Sequence, residues 1–256
     1  IDAASFEEKT RIVTPGGPGM QIFSPDGKYG YVCSSFNPET VVVEVASHQI
    51  VGRVRQDSPF CPNIAASPDG RQVWMTLKDI GRTMVFNARP PFEVIRSFDT
   101  GPITNHVNFA NTPDGIQAYV TVGGLNVVKV FRTDDFTQVA TIPVGLLPHG
   151  VWPSGDGRRV YVGLENGDAL AAIDTRTHQV VAQVPIGQVL GRPLNGTRRD
   201  ARRREREDRL RPRRGREVVA HHGIDEAGDV KERLREWAWI LRTDDAARLV
   251  VRVSAG

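Results

Sequence analysis

The stretch that decides the fold is FSPDGKYGYV, residues 23 to 32, in which a Ser-Pro-Asp-Gly turn leads directly into an aromatic strand. Pro presets φ at the first central position of such a turn, the Asp side chain bonds its own backbone, and Gly accepts a positive φ. The same turn returns with Asp69, Asp114 and Asp156 in the place of Asp26, at intervals of 43, 45 and 42 residues. The chain is therefore a tandem repeat, and we expect the four Asp residues to occupy equivalent tight turns on one face.

An aromatic residue follows each turn Asp at the same offset of five residues, and these residues are Tyr31, Trp74, Tyr119 and Tyr161. Each repeat also holds a short apolar strand before the turn and two further strand patterns after the aromatic one. Four strands in about 40 to 45 residues match the length of one propeller blade. A single blade cannot bury both of its faces, so blades must stack, and the four aromatic residues are predicted to fill the space between neighbours.

The sequence thus predicts an all-β fold, a β-propeller of four-stranded blades with about four to five blades present and an incomplete ring. The predicted blades are residues 16–56, 57–100, 101–144 and 145–186, with inner strands near 19–23, 62–66, 106–110 and 149–152. Residues 1–15 are predicted to contribute the closing strand of a preceding blade. Because the chain begins with neither Met nor a leader, we interpret it as a processed form or a fragment.

Three short motifs carry a family resemblance: Tyr119-Val-Thr-Val and the blade endings Ile142-Pro-Val-Gly145 and Val184-Pro-Ile-Gly187. With the Asp-Gly turns, they resemble the YVTN family of bacterial β-propeller repeats over about residues 6 to 188. Trp74-Met-Thr-Leu departs most from the pattern. The resemblance implies a propeller in the periplasm or outside the cell. It says little about activity, since members resemble scaffolds, surface proteins and accessory proteins of quinone-dependent oxidation.

The composition changes abruptly near residue 189. Residues 1–189 hold 15 Lys and Arg against 18 Asp and Glu, whereas residues 190–256 hold 18 against 12, so the tail is basic. The tail is interpreted as a charged arm for nucleic acid, membrane phosphates or an acidic partner, as a solvated linker, or as the product of a reading-frame shift in a GC-rich gene. The last is favoured because Lys231 is the only Lys among many Arg. A nucleic-acid partner is expected only if the tail is genuine, and the tail is predicted to be disordered or partly helical.

The cysteines and the hydropathy exclude several site classes. Cys33 and Cys61 lie in different repeats and match neither a metal-binding nor a redox spacing, so we predict two unpaired, buried thiols rather than a disulfide. No apolar run approaches the eighteen or so residues that a membrane helix needs, so no membrane span is expected.

Two histidines are the candidate site residues. His106 and His149 lie eight and seven residues before their turn Asp, at the entry to the inner strands of neighbouring repeats. In a propeller this entry lies at the mouth of the central channel, where Asn63 and Asn105 are also expected. A His pair there could hold copper or zinc, although the alternative, that each His caps a strand end, stays open because no third ligand matches.

The sequence offers no nucleophile with a base, no paired carboxylates and no phosphate-binding loop at diagnostic spacing. The predicted function is therefore a non-enzymatic, exported binding scaffold that presents the channel mouth to a protein or a small molecule, with no cofactor assigned. The alternative is a propeller enzyme, either a lactonase-like hydrolase or an accessory of quinone- or copper-dependent oxidation, with His106 and His149 as metal ligands or bases.

Overall fold

Four antiparallel sheets of four strands each make up the part of the chain that the computed structural model describes, residues 1–186. In every sheet the strands follow one another in chain order. The strands of the first two sheets are β1 (Pro18–Phe23), β2 (Tyr29–Ser34), β3 (Glu39–Glu44), β4 (Gln49–Arg55), β5 (Asn63–Ala66), β6 (Gln72–Leu77), β7 (Arg82–Asn87) and β8 (Val94–Asp99). Those of the last two are β9 (Thr104–Thr112), β10 (Gly115–Val122), β11 (Val127–Arg132), β12 (Gln138–Pro143), β13 (Pro148–Pro153), β14 (Arg159–Leu164), β15 (Ala169–Asp174) and β16 (Gln179–Pro185).

Each sheet is one blade of a β-propeller. The first strands β1, β5, β9 and β13 contact one another in turn, so they line the inside of the arc and the fourth strands form its outer rim. The predicted all-β propeller of four-stranded blades is confirmed. The four sheets are called blades 1 to 4 below, and their strands lie within residues 16–56, 57–100, 101–144 and 145–186.

The aromatic residues of the second strands build the core between blades. Tyr31, Trp74 and Tyr119 are completely buried. The Tyr31 hydroxyl donates to the carbonyl oxygen of Ala88 in blade 2. The Trp74 ring contacts Phe109 of blade 3 edge-on, with ring centroids 5.9 Å apart. Each aromatic side chain thus joins its blade to the next one, as predicted.

The prediction that the aromatic residues are buried between blades is wrong for Tyr161 of blade 4, because its side chain remains 36% exposed. It lies on the face of blade 4 that points away from blade 3, and within residues 1–186 no further blade covers that face. Burial of this position therefore depends on a following blade and not on the local sequence.

Three of the four Asp-Gly turns share one hydrogen-bond pattern. Ser24 donates its hydroxyl hydrogen to Asp26, with Oγ and Oδ1 2.7 Å apart, and the same bond recurs at Ser67–Asp69 and Ser154–Asp156. The following glycines take positive φ angles of 69°, 65° and 70°. The third turn differs, because Thr112 and Gly115 pair directly and leave only two residues in the loop. Tyr119 pairs with Asn108, 11 residues earlier, whereas the aromatic residue of every other blade pairs with a residue 9 positions earlier, so the β9–β10 hairpin is two residues longer than its counterparts.

The two cysteines form a disulfide, which corrects the prediction of unpaired thiols. Cys33 lies on β2 and Cys61 lies just before β5, with their Cα atoms 6.1 Å apart. Both side chains are fully buried at the junction of blades 1 and 2. The bond joins neighbouring blades, so its partners become adjacent only when the blades stack.

The N-terminal segment of the chain adds no strand to the blades. Residues 1–15, predicted to close a preceding blade, contain a turn but no strand, because a closing strand needs a further sheet to pair with. The basic tail, with the partial helicity and the frame shift predicted for it, lies outside the described residues. Within residues 1–186 no helix has the length and hydropathy that a membrane-spanning helix needs.

Candidate functional site

His106 on β9 and His149 on β13 lie side by side at the end of the blades where the inner strands begin, here called the channel end. Their ring centroids are 4.5 Å apart and the ring planes are inclined by 48°. Both side chains are half-buried. The structure therefore brings together the two histidines that the sequence singled out, on neighbouring blades.

The two histidines do not hold equivalent strand positions. Val107 pairs with Val120, as Val151 pairs with Val162, so the residue two before Val151, His149, matches the residue two before Val107. That residue is Asn105, and His106 matches Gly150 instead. Counting residues back from the turn Asp gives His106 and His149 similar positions, but it matches the wrong residues because the β9–β10 hairpin is two residues longer. The two rings meet although His106 lies one residue further along β9 than the counterpart of His149.

Thr121 on β10 holds the backbones of both histidines. Its hydroxyl oxygen accepts a hydrogen bond from the backbone N–H of His106 at 2.9 Å, within blade 3. The same hydroxyl donates to the carbonyl oxygen of His149 in blade 4 at 2.6 Å. Since Thr121 is completely buried, both bonds are shielded from water and fix the spacing of the two strands.

Asn63 and Asn105, expected on the ligand face, bond to backbone groups of the next blade. The Asn63 Oδ1 atom accepts from the N–H of Val107 at 2.9 Å, and the Asn105 Nδ2 atom donates to the carbonyl oxygen of Pro148 at 2.8 Å. Asn105 is completely buried, and its Oδ1 atom has no hydrogen-bond partner within the described residues. Both amides thus connect blades, and Asn105 retains one unused acceptor beside His106.

The electrostatics of the site favour neutral imidazoles. Burial, with smaller contributions from His149 and Lys78, lowers the pKa of His106 to about 4. Burial also lowers the pKa of His149, an effect that the Glu165 carboxylate opposes and Lys78 reinforces. At pH 7 each ring therefore offers one N–H donor and one nitrogen acceptor.

The sequence-based search missed Lys78, Glu165 and Thr121. Lys78 directly follows β6 and Glu165 directly follows β14, each four residues after the aromatic residue of its blade. Thr121 lies two residues after Tyr119, a position that Thr76 occupies in blade 2. Comparing the residues that follow the aromatic residue in each repeat brings all three into view.

Metal ligands are few at this site. Within residues 1–186 no group of three or more His, Cys, Asp or Glu side chains could hold a metal ion. A cleft of about 400 Å³ lies elsewhere, at the end of blades 3 and 4 that carries the Asp-Gly turns. It is lined by Asn111, Pro113, Asp156, Gly157, Arg158, Arg159, Asp174, Thr175 and Arg176.

Comparison with solved structures finds β-propellers. The chain is similar to hydrazine synthase of Kuenenia stuttgartiensis, with 21% identity and a TM-score of 0.59 over 70% of this chain and 52% of that one. The β-propeller domain of Cps50 (Swd1) from Myceliophteria thermophila is 12% identical, with a TM-score of 0.60 over 69% and 57%. The periplasmic gluconolactonase PpgL of Pseudomonas aeruginosa is 22% identical, with a TM-score of 0.54 over 66% and 54%.

No family model matches the chain, and no curated protein sequence matches it. The chain spans little more than half the length of each of these three structures, at 52 to 57%. At 12 to 22% identity the likeness extends to the fold alone. The architecture of blades 1 to 4 is therefore that of a β-propeller.

Proposed function

We propose that this chain is a non-enzymatic, exported β-propeller of the YVTN type that binds its ligand or partner at the channel end. The observation that carries the proposal is the pair of imidazoles, His106 and His149, with ring centroids 4.5 Å apart. Two neutral rings on neighbouring inner strands form a compact set of donors and acceptors on an inflexible backbone. Propellers bind ligands at such places because loops from several blades converge there.

Export is supported by the disulfide. A buried bond between Cys33 and Cys61 persists in an oxidising compartment and is rare in the reducing cytosol. A periplasmic gluconolactonase among the structures with the same fold agrees with this location. We therefore propose the periplasm or the exterior of the cell as the place where the chain acts.

Copper or zinc is a candidate occupant of the His pair, because neutral imidazole suits both metals. Asn63 adds no free ligand, since its Oδ1 atom already accepts from Val107. The two rings would supply two ligands, and a bound partner would supply the others. Such a site holds a metal only weakly without the partner.

The test is calorimetric titration of the full chain with Zn²⁺ and with Cu²⁺. Equimolar binding that is lost in both His106→Gln and His149→Gln supports a metal held by the pair. The matched control is His48→Gln, which changes an exposed turn residue. Binding that survives in both site variants comes from other residues, such as His221 and His222 outside the described range, and contradicts a metal at the pair.

The second candidate function is a lactonase-like hydrolase or an accessory of quinone- or copper-dependent oxidation. The pKa of His106, lowered to about 4, keeps this ring neutral and able to accept a proton at pH 7, and it also makes the ring a weaker base than an ordinary His. The hydrolase hypothesis is tested with glucono-lactone as the substrate, and hydrolysis is measured as the release of acid at constant pH. Turnover that disappears in His106→Gln and His149→Gln but persists in His48→Gln would replace the scaffold proposal.

A further inference from the structure

The loops at the two ends of the blades differ in the apolar side chains that they expose. Because each blade is an antiparallel sheet in chain order, loops after second and fourth strands lie at the channel end, and loops after first and third strands lie at the Asp-Gly end. Between residues 18 and 185, no loop at the Asp-Gly end has an exposed Leu, Ile, Val, Met, Phe, Tyr or Trp side chain. The channel-end loops have five, each 38 to 64% exposed, here called the channel-end patch: Phe36, Phe60, Ile80, Leu125 and Leu146.

The loops that carry the channel-end patch are tied to one another across the blade junctions. The N–H of Gly101, between blades 2 and 3, donates to the carbonyl oxygen of Gly81 at 2.9 Å, directly beside Ile80. Leu125 packs over Gly101, where even an added Cβ atom would lie 3.1 Å from the Leu125 Cδ1 atom. The N–H of Leu147, next to Leu146, donates to the Asn126 Oδ1 atom at 2.9 Å. The patch is therefore held on connected backbone rather than on separate loops.

The fold does not require these apolar side chains. Ile80 and Leu125 are the third residues of the four-residue loops that join the second and third strands of blades 2 and 3. Gly167 takes the same place in blade 4, so the loop forms without any side chain there. Apolar surface that stays in contact with water contributes nothing to folding and is stabilised only when a partner covers it.

The same loops are acidic. They contain four acidic residues and one Lys, a formal charge of −3, to which the neutral histidines add none: Asp57, Asp79, Glu165, Asp168 and Lys78. The strand ends that border the loops cancel, with two acidic and two basic residues: Glu39, Arg55, Arg82 and Asp99. A surface of this sign attracts a cationic partner and repels an anionic one.

The length of the channel-end patch indicates a polypeptide rather than a small molecule. Packed sheets lie about 10 Å apart, so the path from Phe36 in blade 1 to Leu146 at the start of blade 4 is about 25 to 30 Å long. An extended chain rises about 3.3 Å per residue, so about nine residues cover this path. A small molecule would leave most of the patch in water.

We propose that the channel end binds an extended segment of a partner protein, about nine residues long, that carries apolar side chains together with Lys or Arg. The apolar side chains of the segment cover the channel-end patch, and its cationic groups lie near Glu165 and Asp79. His106 and His149 each offer one N–H donor and one nitrogen acceptor to its peptide groups. The inference rests on the proposed binding function and adds the chemistry of the partner.

Selection from a phage library of random nine-residue peptides, on the immobilised full chain, tests the proposal. We expect the selected peptides to be enriched in apolar residues and in Lys or Arg relative to the unselected library. A selected peptide is then synthesised with a fluorescent label and titrated with the chain, and the change in anisotropy gives the Kd.

Variants of the loops locate the binding. Ile80→Ser and Leu146→Ser should each raise the Kd about tenfold, because an apolar contact is lost. Glu165→Gln should raise it about two- to fivefold, an effect that decreases as the salt concentration rises. The matched control is Val139→Ser, which removes an apolar side chain that is 40% exposed on β12 in the outer rim, and it should leave the Kd unchanged.

Three results would overturn the proposal. A library without enrichment, or one enriched in Asp and Glu, excludes a segment of this chemistry. Equal Kd values for Ile80→Ser, Leu146→Ser and Val139→Ser place the peptide elsewhere on the chain. Cosedimentation with phosphatidylcholine vesicles that Ile80→Ser and Leu146→Ser abolish assigns the patch to a membrane surface instead.

Failure of this inference is distinguishable from failure of the proposed function. If no peptide is selected but Zn²⁺ or Cu²⁺ still binds through the His pair, the partner assignment is wrong and the binding function stands. If a selected peptide depends on Ile80 and Leu146 but binds His106→Gln and His149→Gln with the wild-type Kd, the patch is the binding surface and the His pair takes no part in it.

Discussion

Thr121 donates its hydroxyl hydrogen to the carbonyl oxygen of His149 at 2.6 Å and so ties the second strand of blade 3 to the first strand of blade 4. Thr76, at the same position in blade 2, donates to the carbonyl oxygen of Asn105 at the same distance of 2.6 Å. In blade 1 the position belongs to Cys33, which forms the disulfide to Cys61. One strand position thus provides the lateral link at all three junctions of the described arc.

The first prediction concerns Thr121→Val, which keeps the shape of the side chain and removes its hydroxyl group. The N–H of His106 and the carbonyl oxygen of His149 then lose a buried partner, which costs about 1 to 3 kcal/mol in the free energy of unfolding. Urea denaturation followed by circular dichroism measures this loss. Thr137→Val, at an exposed residue of the turn before β12, should change stability by less than about 0.5 kcal/mol. Equal stability of the two variants would show that the Thr121 link is dispensable.

The second prediction concerns the disulfide. Reduction should lower the free energy of unfolding by about 3 to 4 kcal/mol, because the bond closes a loop across 28 residues and restricts the unfolded chain. Denaturation with and without dithiothreitol measures the difference. The double variant Cys33→Ser, Cys61→Ser should be insensitive to the reductant. Two thiols that react with an alkylating reagent in the unreduced, unfolded protein would refute the bond, since the chain has 2 cysteines.

The third prediction separates two neighbouring tyrosines on β2. Tyr31→Phe leaves the carbonyl oxygen of Ala88 without its hydroxyl donor at the blade 1–2 junction, at a cost of about 1 to 2 kcal/mol. Tyr29→Phe is the matched control, because the Tyr29 ring contacts Phe92 edge-on, at a centroid distance of 5.3 Å, and that contact is kept. Thermal unfolding should show a lower midpoint for the first variant alone. A similar loss in both variants would argue that the rings, not the hydroxyl, carry the effect.

The sequence repeat predicts the strands correctly, but it does not predict features that depend on contacts between blades. Asp26 predicts a turn and Tyr31 predicts a strand because the conformational preferences of these residues act within a few residues of the backbone. The pairing of Cys33 with Cys61 depends on the stacking of two repeats, which spacing along the chain does not show. The exposure of Tyr161 likewise depends on a neighbouring blade.

The candidate site shows the same division. His106 and His149 were found because both begin inner strands, but their strand register was misplaced, since the pairing of Thr112 with Gly115 lengthens one hairpin. The bonds of Asn63 to the next blade could not be inferred either, because an exposed amide and an amide that connects blades look alike in a sequence.

The last prediction is a pH dependence of stability that originates at His106. The pKa of this residue is about 4 in the folded chain, against an ordinary value of 6.5, because burial disfavours the charged ring and both His149 and Lys78 face it. Between these two values the unfolded chain binds a proton that the folded chain does not, so stability is full above about pH 6.5 and falls as the pH decreases toward 4.

The test compares the wild-type chain with His106→Gln, whose side chain carries no charge at any pH. We expect the drop in the free energy of unfolding between about pH 7 and pH 5 to be smaller by about 1 kcal/mol in the variant, since solvent screening of a half-buried ring reduces the full linkage effect. His149 contributes a fall of the same sign, so the variant retains part of the slope. A slope that His106→Gln leaves unchanged would mean that the pKa of this ring is the same in the folded and the unfolded chain, so that burial does not hold the imidazole neutral below its ordinary pKa.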